Sequence, residues 1–446
     1  MLHPLVAVAM LVTIVLIFLL PRRYAVVPFL LTIFLCPYGQ CVVLGGAHFF
    51  VSRILVLAGL IRLVTAKPLP SGTRLAGGFN GIDRAFACCA VCSALTFVLL
   101  WMETSALVNK LGTLVDALGG YFFLRFLIQD WEDVRRTIRV ITLIALVMAV
   151  CMLNERLAFR NIFGLLGGVG LVPAVRDGQI RAQGAFEVYV TAGAFGATLL
   201  PLFAWLWKSG ERKSIVVIGI ISSTIISVTS NTSTALVAYG AGIAALCLWP
   251  LRKQMRLIRW GLTITLVGLH LSMKAPVWAL IARVDLTGSS SGYHRYQLVD
   301  TCIRHFSSWW LLGAKDYDSW GWDMFDVGNE YVGYAETGGL ISLIFFLTVI
   351  SRSFGKLGKA RKRIEGDRKQ EWFLWSLGAA LFANVMAYFG ISYFDQTKFA
   401  WYALLAIISA GISEVRRSLV PQADEVLTSN YEAEAAVNLD MAETNQ

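Results

Sequence analysis

The residues whose types and spacing suggest chemistry are concentrated in positions 316–339, which read DYDSWGWDMFDVGNEYVGYAETGG. Aromatic rings offer flat apolar faces, which suit the apolar faces of sugars. Carboxylates accept hydrogen bonds from hydroxyl groups. The alternative is an aromatic belt at a membrane surface, but belt residues usually stand singly at helix ends. This segment and the residues just before it therefore predict contact with a glycan, through Trp309, Trp310, Trp320 and Trp322.

Three groups near this segment are candidates for accepting a proton during catalysis. In order of preference they are Glu330, Asp326 and His294. Glu330 and Glu336 stand at the start of an apolar run, where ionisable groups are costly and usually functional. A carboxylate in the first turn of a helix is also favoured by the helix dipole alone, which is the alternative for Glu330. His294 is either a base or an ordinary surface residue.

Four arginines are candidates for binding a phosphate or diphosphate, because the planar guanidinium matches phosphate oxygens. Arg176 and Arg181 lie in the polar stretch 154–186, and Arg295 and Arg304 lie in the stretch 274–327. Arg295 and Arg304 are separated by about two and a half turns of a predicted helix. They can therefore reach one elongated site but not one oxygen atom. Contact with lipid headgroups, or local ion pairs, is the alternative for all four.

The composition indicates the elements that must position these groups. The chain is 57% hydrophobic and 15% charged, and its mean hydropathy is +0.63. Soluble proteins are roughly 45–50% apolar and about 25% charged. We therefore expect an all-α, polytopic membrane protein with about 12–13 transmembrane helices. The expected spans are 4–20, 24–44, 49–66, 84–102, 111–128, 139–154, 187–207, 214–230, 232–249, 257–273, 328–351, 372–392 and 397–413.

The distribution of lysine and arginine predicts the orientation of the chain. If every expected span crosses, the basic loops fall on one side, which the positive-inside rule makes cytoplasmic. The net charge of +10 is then topological and does not indicate nucleic-acid binding. Arg53, Asp116 and Arg125 fall inside apolar runs, where they can pair with one another.

This topology divides the chain into four parts. Residues 1–273 hold the N-terminal helices and the outer loop 154–186, and residues 274–327 form a large periplasmic loop. Residues 328–418 hold the C-terminal helices. The acidic segment 419–446 is expected to be a disordered cytoplasmic tail.

The order of these motifs resembles the O-antigen ligase and polymerase superfamily, the WaaL and Wzy-like proteins. The resemblance covers roughly residues 110–350, and its NEYV...ETGG ending looks most like the exopolysaccharide-polymerase branch. Its motifs are RAQGAF at 181–186, SNTSTALVAYGAG, YHRYQLVD, WWLLGAKDYDSWGW and DVGNEYVGYAETGGL.

The resemblance implies a GT-C-type glycosyltransferase of the bacterial inner membrane that needs no metal or other cofactor. Its substrates would be undecaprenyl-diphosphate-linked oligosaccharides, handled at the periplasmic face. It also implies that Arg181 and Arg295 hold the lipid diphosphate and that the large loop places the acceptor. Ligases commonly have His-Asn before the helix that follows this loop, where this chain has Gly328 and Asn329.

The sequence therefore favours a polysaccharide polymerase that joins one lipid-linked repeat to the terminal sugar of another. Its expected partners are the lipid-linked glycan, the bilayer and other polysaccharide-assembly membrane proteins. A ligase that transfers glycan to lipid A core or to protein is the first alternative. A transporter of a charged lipid or sugar is the second, although the polar groups cluster in loops and no inverted repeat is evident.

Overall fold

The computed structural model describes residues 2–44, 47–68, 73–283, 286, 292–321 and 323–418. Two sequence-based expectations, the glycan contact by Trp322 and the acidic tail 419–446, lie outside the described residues. The described chain is almost entirely helical. Its helices are α1 Pro4–Leu19, α2 Val26–Leu35, α3 Val51–Thr65, α4 Gly81–Trp101, α5 Thr104–Leu114, α6 Gly120–Leu127, α7 Trp131–Ala158, α8 Tyr189–Leu206, α9 Lys213–Thr229, α10 Ser233–Cys247, α11 Met255–Ser272, α12 Gly292–Arg304, α13 Phe306–Trp309, α14 Glu330–Arg363, α15 Arg368–Ala387 and α16 Thr397–Ser418.

Two short antiparallel hairpins are the sheet structure of the described residues. Strands β1 Cys41–Leu44 and β2 Ala47–Phe50 form the first, and β3 Ala174–Arg176 and β4 Gln179–Arg181 form the second. The turn of the second hairpin uses Asp177 and Gly178, both with positive φ, as two-residue hairpin turns require.

Five described helices are long and apolar enough to cross a membrane: α4, α7, α8, α14 and α16. The count becomes six if α10 and the following Trp249–Ser272 segment, bent by 78° relative to each other, form one broken span. Two further apolar helices, α1 and α9, are shorter than these spans. These helices agree with the expected multi-pass helical protein, although they number fewer than the 12–13 expected spans.

The structure differs from several expected spans. The expected span 24–44 ends as a helix at Leu35, because the chain then forms the β1–β2 hairpin. The expected span 111–128 is interrupted by the π-helical turn Val115–Gly119. That turn lies against α3, where Arg53 binds Asp116 with Nη2–Oδ2 at 2.7 Å. The pairing expected for Arg53 and Asp116 is thus confirmed.

Arg125 pairs with a different acid from the one considered in the sequence. Its side chain is completely buried, and its Nε lies 3.0 Å from Oδ1 of Asp83. Asp83 is also the N3 residue of α4, where it forms a capping box with Asn80. Tyr121 donates its hydroxyl proton to the same carboxylate at 2.5 Å. A buried guanidinium needs such a partner to offset its lost hydration.

The two ends of the helix bundle differ in chemistry. At one end, which we call the basic end, ion pairs join neighbouring helices through Arg22–Asp133, Arg139–Glu211 and Arg252–Glu371. The opposite end, the polar end, holds Glu330, Asp395 and Arg181. Helices α4 and α14 are antiparallel, since Gly81 lies beside Arg352 at the basic end and Thr96 lies beside Ser342 further along.

Candidate functional site in a cavity at the polar end

A cavity of about 460 Å³ lies near the polar end of the bundle. Its walls come from α4, α5, the π-helical turn, α14, α16 and the segment 388–396, which we call the α15–α16 connection. Small residues of α4 leave room for it, and aromatic rings form much of its surface. Its polar lining groups include Glu330, Lys110, Lys398, Tyr317, Tyr334 and Tyr393.

Glu330 is fixed at the cavity by its position at the first residue of α14. Asn329 caps this helix, and its side chain accepts hydrogen bonds from the backbone N–H groups of Tyr331 and Val332. The backbone N–H of Glu330 donates to Tyr388 O at 2.9 Å. Its Oε2 accepts the backbone N–H of Tyr393 at 2.6 Å. The Glu330 carboxylate is therefore fixed by a hydrogen bond from Tyr393, in addition to its position in the first turn of α14.

Two lysines share this cavity with Glu330. Lys110 comes from α5 and Lys398 from the first turn of α16. The sequence analysis did not select either residue. Lysine at the edge of an apolar run is the signal that would have found them, because an ammonium group at membrane depth is costly without a partner or a function.

The α15–α16 connection holds the cavity wall to the rest of the polar end. Ser392 Oγ donates to Val327 O at 2.8 Å, and Thr234 Oγ1 donates to Gly390 O at 3.2 Å. Gln396 Nε2 donates to Ala185 O at 2.9 Å. Each of these bonds reaches a different part of the chain, so the short connection joins α10, the segment just before α14 and the RAQGAF segment.

Asp395 is the most heavily hydrogen-bonded acid of the connection. Its carboxylate accepts hydrogen bonds from Thr191 Oγ1 at 2.6 Å, from Thr397 Oγ1 at 2.8 Å and from the backbone N–H groups of Thr397 and Glu187. Burial raises the pKa of Asp395 above its ordinary value, and the hydrogen bond from Thr191 is the largest opposing effect. Partial desolvation, then the charge of Asp395, also raise the pKa of Glu187.

The RAQGAF segment places Arg181 in a rigid setting next to this connection. The Glu155 carboxylate accepts the backbone N–H groups of Gln183 and Gly184 at 2.9–3.2 Å. Arg181 is only 4% exposed, and its guanidinium carbon lies 4.9 Å from the centre of the Tyr189 ring. Arg176 lies at the tip of the same hairpin, exposed and 3.8 Å from Asp177. The register puts both arginines on one face of the hairpin.

Helix α12 carries the next group of predicted residues. His294 Nε2 lies 3.0 Å from the backbone oxygen of Asp326, so these two candidates are neighbours. Arg304 is 72% exposed and pairs with Asp300 at 2.7 Å. Arg295 is half-buried on the same helix. Among the described residues that line the cavity, Glu330 is the one taken from the predicted site; His294, Asp326 and the four arginines lie outside the lining.

The predicted tryptophans occupy different environments. Trp309 is 4% exposed and donates from Nε1 to Cys302 O at 2.7 Å, within a small core that includes Val332 and Ala335. Trp310 is 48% exposed. The Trp320 ring stacks on His305 with ring centres 4.7 Å apart. An exposed ring such as that of Trp310 is available to a sugar, whereas the Trp309 ring is occupied by the protein.

Helix α14 is broken within the stretch that lines the cavity, between Thr337 and Phe346. Gly339 has φ of 69° and ψ of −175°, outside helical geometry. The loop 310–314 fills the break, because Leu340 N–H donates to Trp310 O at 2.9 Å and Ala314 N–H donates to Glu336 O at 2.8 Å. Glu336 is 2% exposed, and its Oε2 has no hydrogen-bond partner among the described residues. The motifs WWLLGA and ETGGL are therefore packed against each other.

The fold and the cavity define a multi-helix protein with five or six helices able to cross a membrane and an ionisable, aromatic cavity at one end of the bundle. No protein-family model matches the chain, and no curated protein matches it either.

Proposed function

We propose that the chain is a membrane-embedded glycosyltransferase that polymerises a polysaccharide from glycans linked to a polyprenyl diphosphate. One observation carries the proposal. A fixed carboxylate, Glu330, shares a mixed polar and aromatic cavity with the ammonium groups of Lys110 and Lys398. A base beside cations suits glycosyl transfer from a diphosphate donor, because the base can take the acceptor proton and the cations can stabilise the leaving diphosphate.

In the proposed reaction, Glu330 takes the proton of the acceptor hydroxyl while the hydroxyl oxygen attacks the anomeric carbon of the donor sugar. The bond between that carbon and the diphosphate oxygen breaks, and the lipid diphosphate leaves with the electron pair. Negative charge grows on the leaving group, and Lys110 and Lys398 stabilise it electrostatically. Glu330 lines the cavity, so we place it ahead of Asp326 and His294 as the base.

The arginines that the sequence predicts to bind phosphate have a proposed role next to this cavity. Arg181 belongs to the segment that Gln396 joins to the α15–α16 connection. We propose that Arg181 and Arg295, which lie outside the cavity lining, contact the diphosphate of the lipid-linked substrate from beside the cavity, with Arg176 and Arg304 as weaker candidates at the surface. Trp310 and Trp320 are the proposed glycan contacts. Trp309 is left out because its ring is buried.

We further propose a GT-C-like architecture in a bacterial inner membrane. The shorter helices would then also cross, to a total of about 12–13 spans. The basic end would face the cytoplasm, in agreement with the positive-inside rule, and the cavity and large loop would face the periplasm. The donor would be undecaprenyl-diphosphate-linked oligosaccharide, and other polysaccharide-assembly proteins would be partners in the membrane.

The test is to delete the gene and complement it with the unchanged gene, with Glu330→Gln and with Glu103→Gln. Glu103 is an exposed acid outside the described cavity lining, and it serves as the matched control. Cell-surface and lipid-linked glycans are then separated by size. We expect single lipid-linked repeats in the deletion and in Glu330→Gln, and long chains with the control. If the deletion strain instead keeps long chains on the carrier lipid, the protein is a ligase. Unchanged glycan in the deletion strain would refute both the polymerase and the ligase.

The break in α14 favours transport as a second candidate. Discontinuous helices with buried carboxyl groups often form the substrate sites of transporters, and Gly339 and Glu336 provide both features. Purified protein in vesicles separates the two candidates. A transporter moves a lipid-linked glycan between leaflets without lengthening it, and it still does so after Glu330→Gln. A polymerase makes a longer glycan and loses this activity in that variant.

A further inference from the structure

We propose that a pocket at the basic end binds the phosphate group of an anionic phospholipid. The pocket has a volume of about 410 Å³ and lies at the opposite end from the Glu330 cavity. Four cationic side chains line it, together with two phenylalanine rings. These residues are Arg22, Arg62, Lys67, Arg74, Phe18 and Phe126. The site is independent of the chemistry proposed for the polar end.

Two of the cations also have a structural role. Arg62 donates from both terminal nitrogens to Ile17 O and Leu20 O, at the end of α1. Arg22 donates from Nη1 to Phe126 O and Leu127 O, at the end of α6. Helix ends expose unpaired carbonyl groups and partial negative charge, which arginine satisfies. These bonds explain why Arg22 and Arg62 are here, and Lys67 and Arg74 add two further cations to the same pocket.

Among the described residues, neither Lys67 nor Arg74 pairs with a carboxylate, so both add positive charge to the pocket. Arg74 donates from Nε to the backbone oxygen of Ala66 at 2.9 Å. Within the described part of the chain, no carboxylate lines the pocket. Of its cations, Arg22 binds Asp133, and Asp133 also binds Arg136, each at 2.9 Å. One carboxylate between two guanidinium groups leaves an excess positive charge, so the pocket favours an anion such as phosphate.

The surface beside the pocket points to a lipid as the source of that phosphate. Phe18 belongs both to the pocket and to an exposed apolar face of α1. That face includes Leu11, Val15 and Leu19, which are all more than half exposed. Acyl chains can lie along it while the phosphate reaches the cations. Juxtamembrane cations bind anionic headgroups in this way.

Native mass spectrometry of the purified protein with phosphatidylglycerol or phosphatidylcholine tests the proposal. The variant Lys67→Gln with Arg74→Gln removes two pocket charges and spares Arg22 and Arg62, which hold the ends of α6 and α1. The control Lys359→Gln with Arg416→Gln removes two exposed charges of the same types outside the lining. We expect phosphatidylglycerol affinity to fall about 30-fold in the pocket variant, since each cation contributes about fivefold, and to stay near its original value in the control.

Two further samples keep the result decisive. Lys67→Arg with Arg74→Lys preserves the charge and should retain at least a third of the affinity, while circular dichroism checks that every variant is folded. Equal weakening in the pocket variant and the control would overturn the proposal, as would equal binding of the two lipids by the unchanged protein. Displacement of the lipid by millimolar glycerol 3-phosphate would show that the pocket takes a soluble phosphate instead, and would overturn the lipid assignment.

Discussion

The polar end contains two non-helical regions that are built in opposite ways. The α15–α16 connection is short and largely buried, and its polar groups bond to α10, α14 and the RAQGAF segment. The loop that surrounds α12 and α13 is longer and carries exposed residues such as Trp310, Arg304 and Asp318. The richer composition lies in the exposed loop, but the walls around Glu330 depend more on the buried connection. In this protein, the segment richest in polar and aromatic residues lies at the surface. The groups fixed at the cavity come instead from positions far apart in the sequence.

The largest expected effect tests whether the cavity is the centre of the chemistry. Glu330→Gln should lower polymer formation about 10²–10⁴-fold, the usual contribution of a general base. Glutamine keeps a side-chain oxygen that can accept the Tyr393 N–H, so the protein should remain folded. The measurement is chain growth by purified protein on lipid-linked repeats. Activity within threefold of the unchanged protein would move the chemistry away from the cavity and toward the exposed loop.

The next effect concerns the one predicted glycan contact that the structure buries. Trp309→Ala should destabilise the protein by about 3–5 kcal/mol, because it leaves a hole in a packed core. The lost bond to Cys302 O adds to this cost. Thermal unfolding in detergent measures it. If Trp309→Ala unfolds at the same temperature as the unchanged protein but loses glycan binding, the ring is a ligand contact. The interpretation of Trp309 as a core residue would then be wrong.

Asp395→Asn tests the buried connection itself. The carboxylate accepts four hydrogen bonds, and an amide presents N–H groups toward some of those donors. We expect a loss of about 2–3 kcal/mol in the free energy of unfolding. Asp177→Asn is the control, because Asp177 is exposed and its positive φ suits asparagine equally well.

The Asp395 carboxyl also predicts a pH dependence. Its pKa in the folded protein is raised above the unfolded value by burial. The folded state therefore binds this proton more tightly, and the stabilisation from protonation is lost as pH rises through the folded pKa. The unfolding midpoint of the unchanged protein should decline as pH rises from the unfolded pKa of Asp395 to its higher folded pKa. Asp395→Asn should remove this component of the decline, and an unaltered pH profile in the variant would contradict the assignment.

Arg181→Lys separates charge from geometry at the edge of the connection. Lysine keeps the charge but loses the planar fork that matches a diphosphate. One lost charge-assisted hydrogen bond corresponds to about tenfold weaker donor use. We expect a higher KM for the lipid-linked donor, measured in the same chain-growth assay. Arg176→Lys, at the exposed hairpin tip, should leave KM within twofold, and equal effects of both changes would remove the distinction between them.

The sequence predicted the helical class and the place of Glu330 at the start of a helix, because both depend on local pattern. It left the pairing among Arg53, Asp116 and Arg125 open, and packing selected Arg53–Asp116 and Arg125–Asp83. It did not predict Lys110, Lys398 or Asp395 as parts of one region. These residues come from α5, α16 and the connection before α16, and only packing brings them together. The expected span 24–44 was wrong in its second half, since apolar β-branched residues such as Val42 and Val43 suit a strand as well as a membrane helix.

The smallest expected effect on stability belongs to the exposed neighbour of Trp309. Trp310→Ala should change the free energy of unfolding by no more than about 0.5 kcal/mol, because 48% of its side chain is already in solvent. Its backbone oxygen still accepts the Leu340 N–H that closes the break in α14. If its ring binds the glycan, the variant should nonetheless bind the acceptor oligosaccharide about fivefold to tenfold more weakly, the worth of one aromatic contact. Thermal unfolding and isothermal titration on the same sample separate the two effects. A large loss of stability with unchanged binding would show that the loop, like the α15–α16 connection, serves mainly to hold the bundle together.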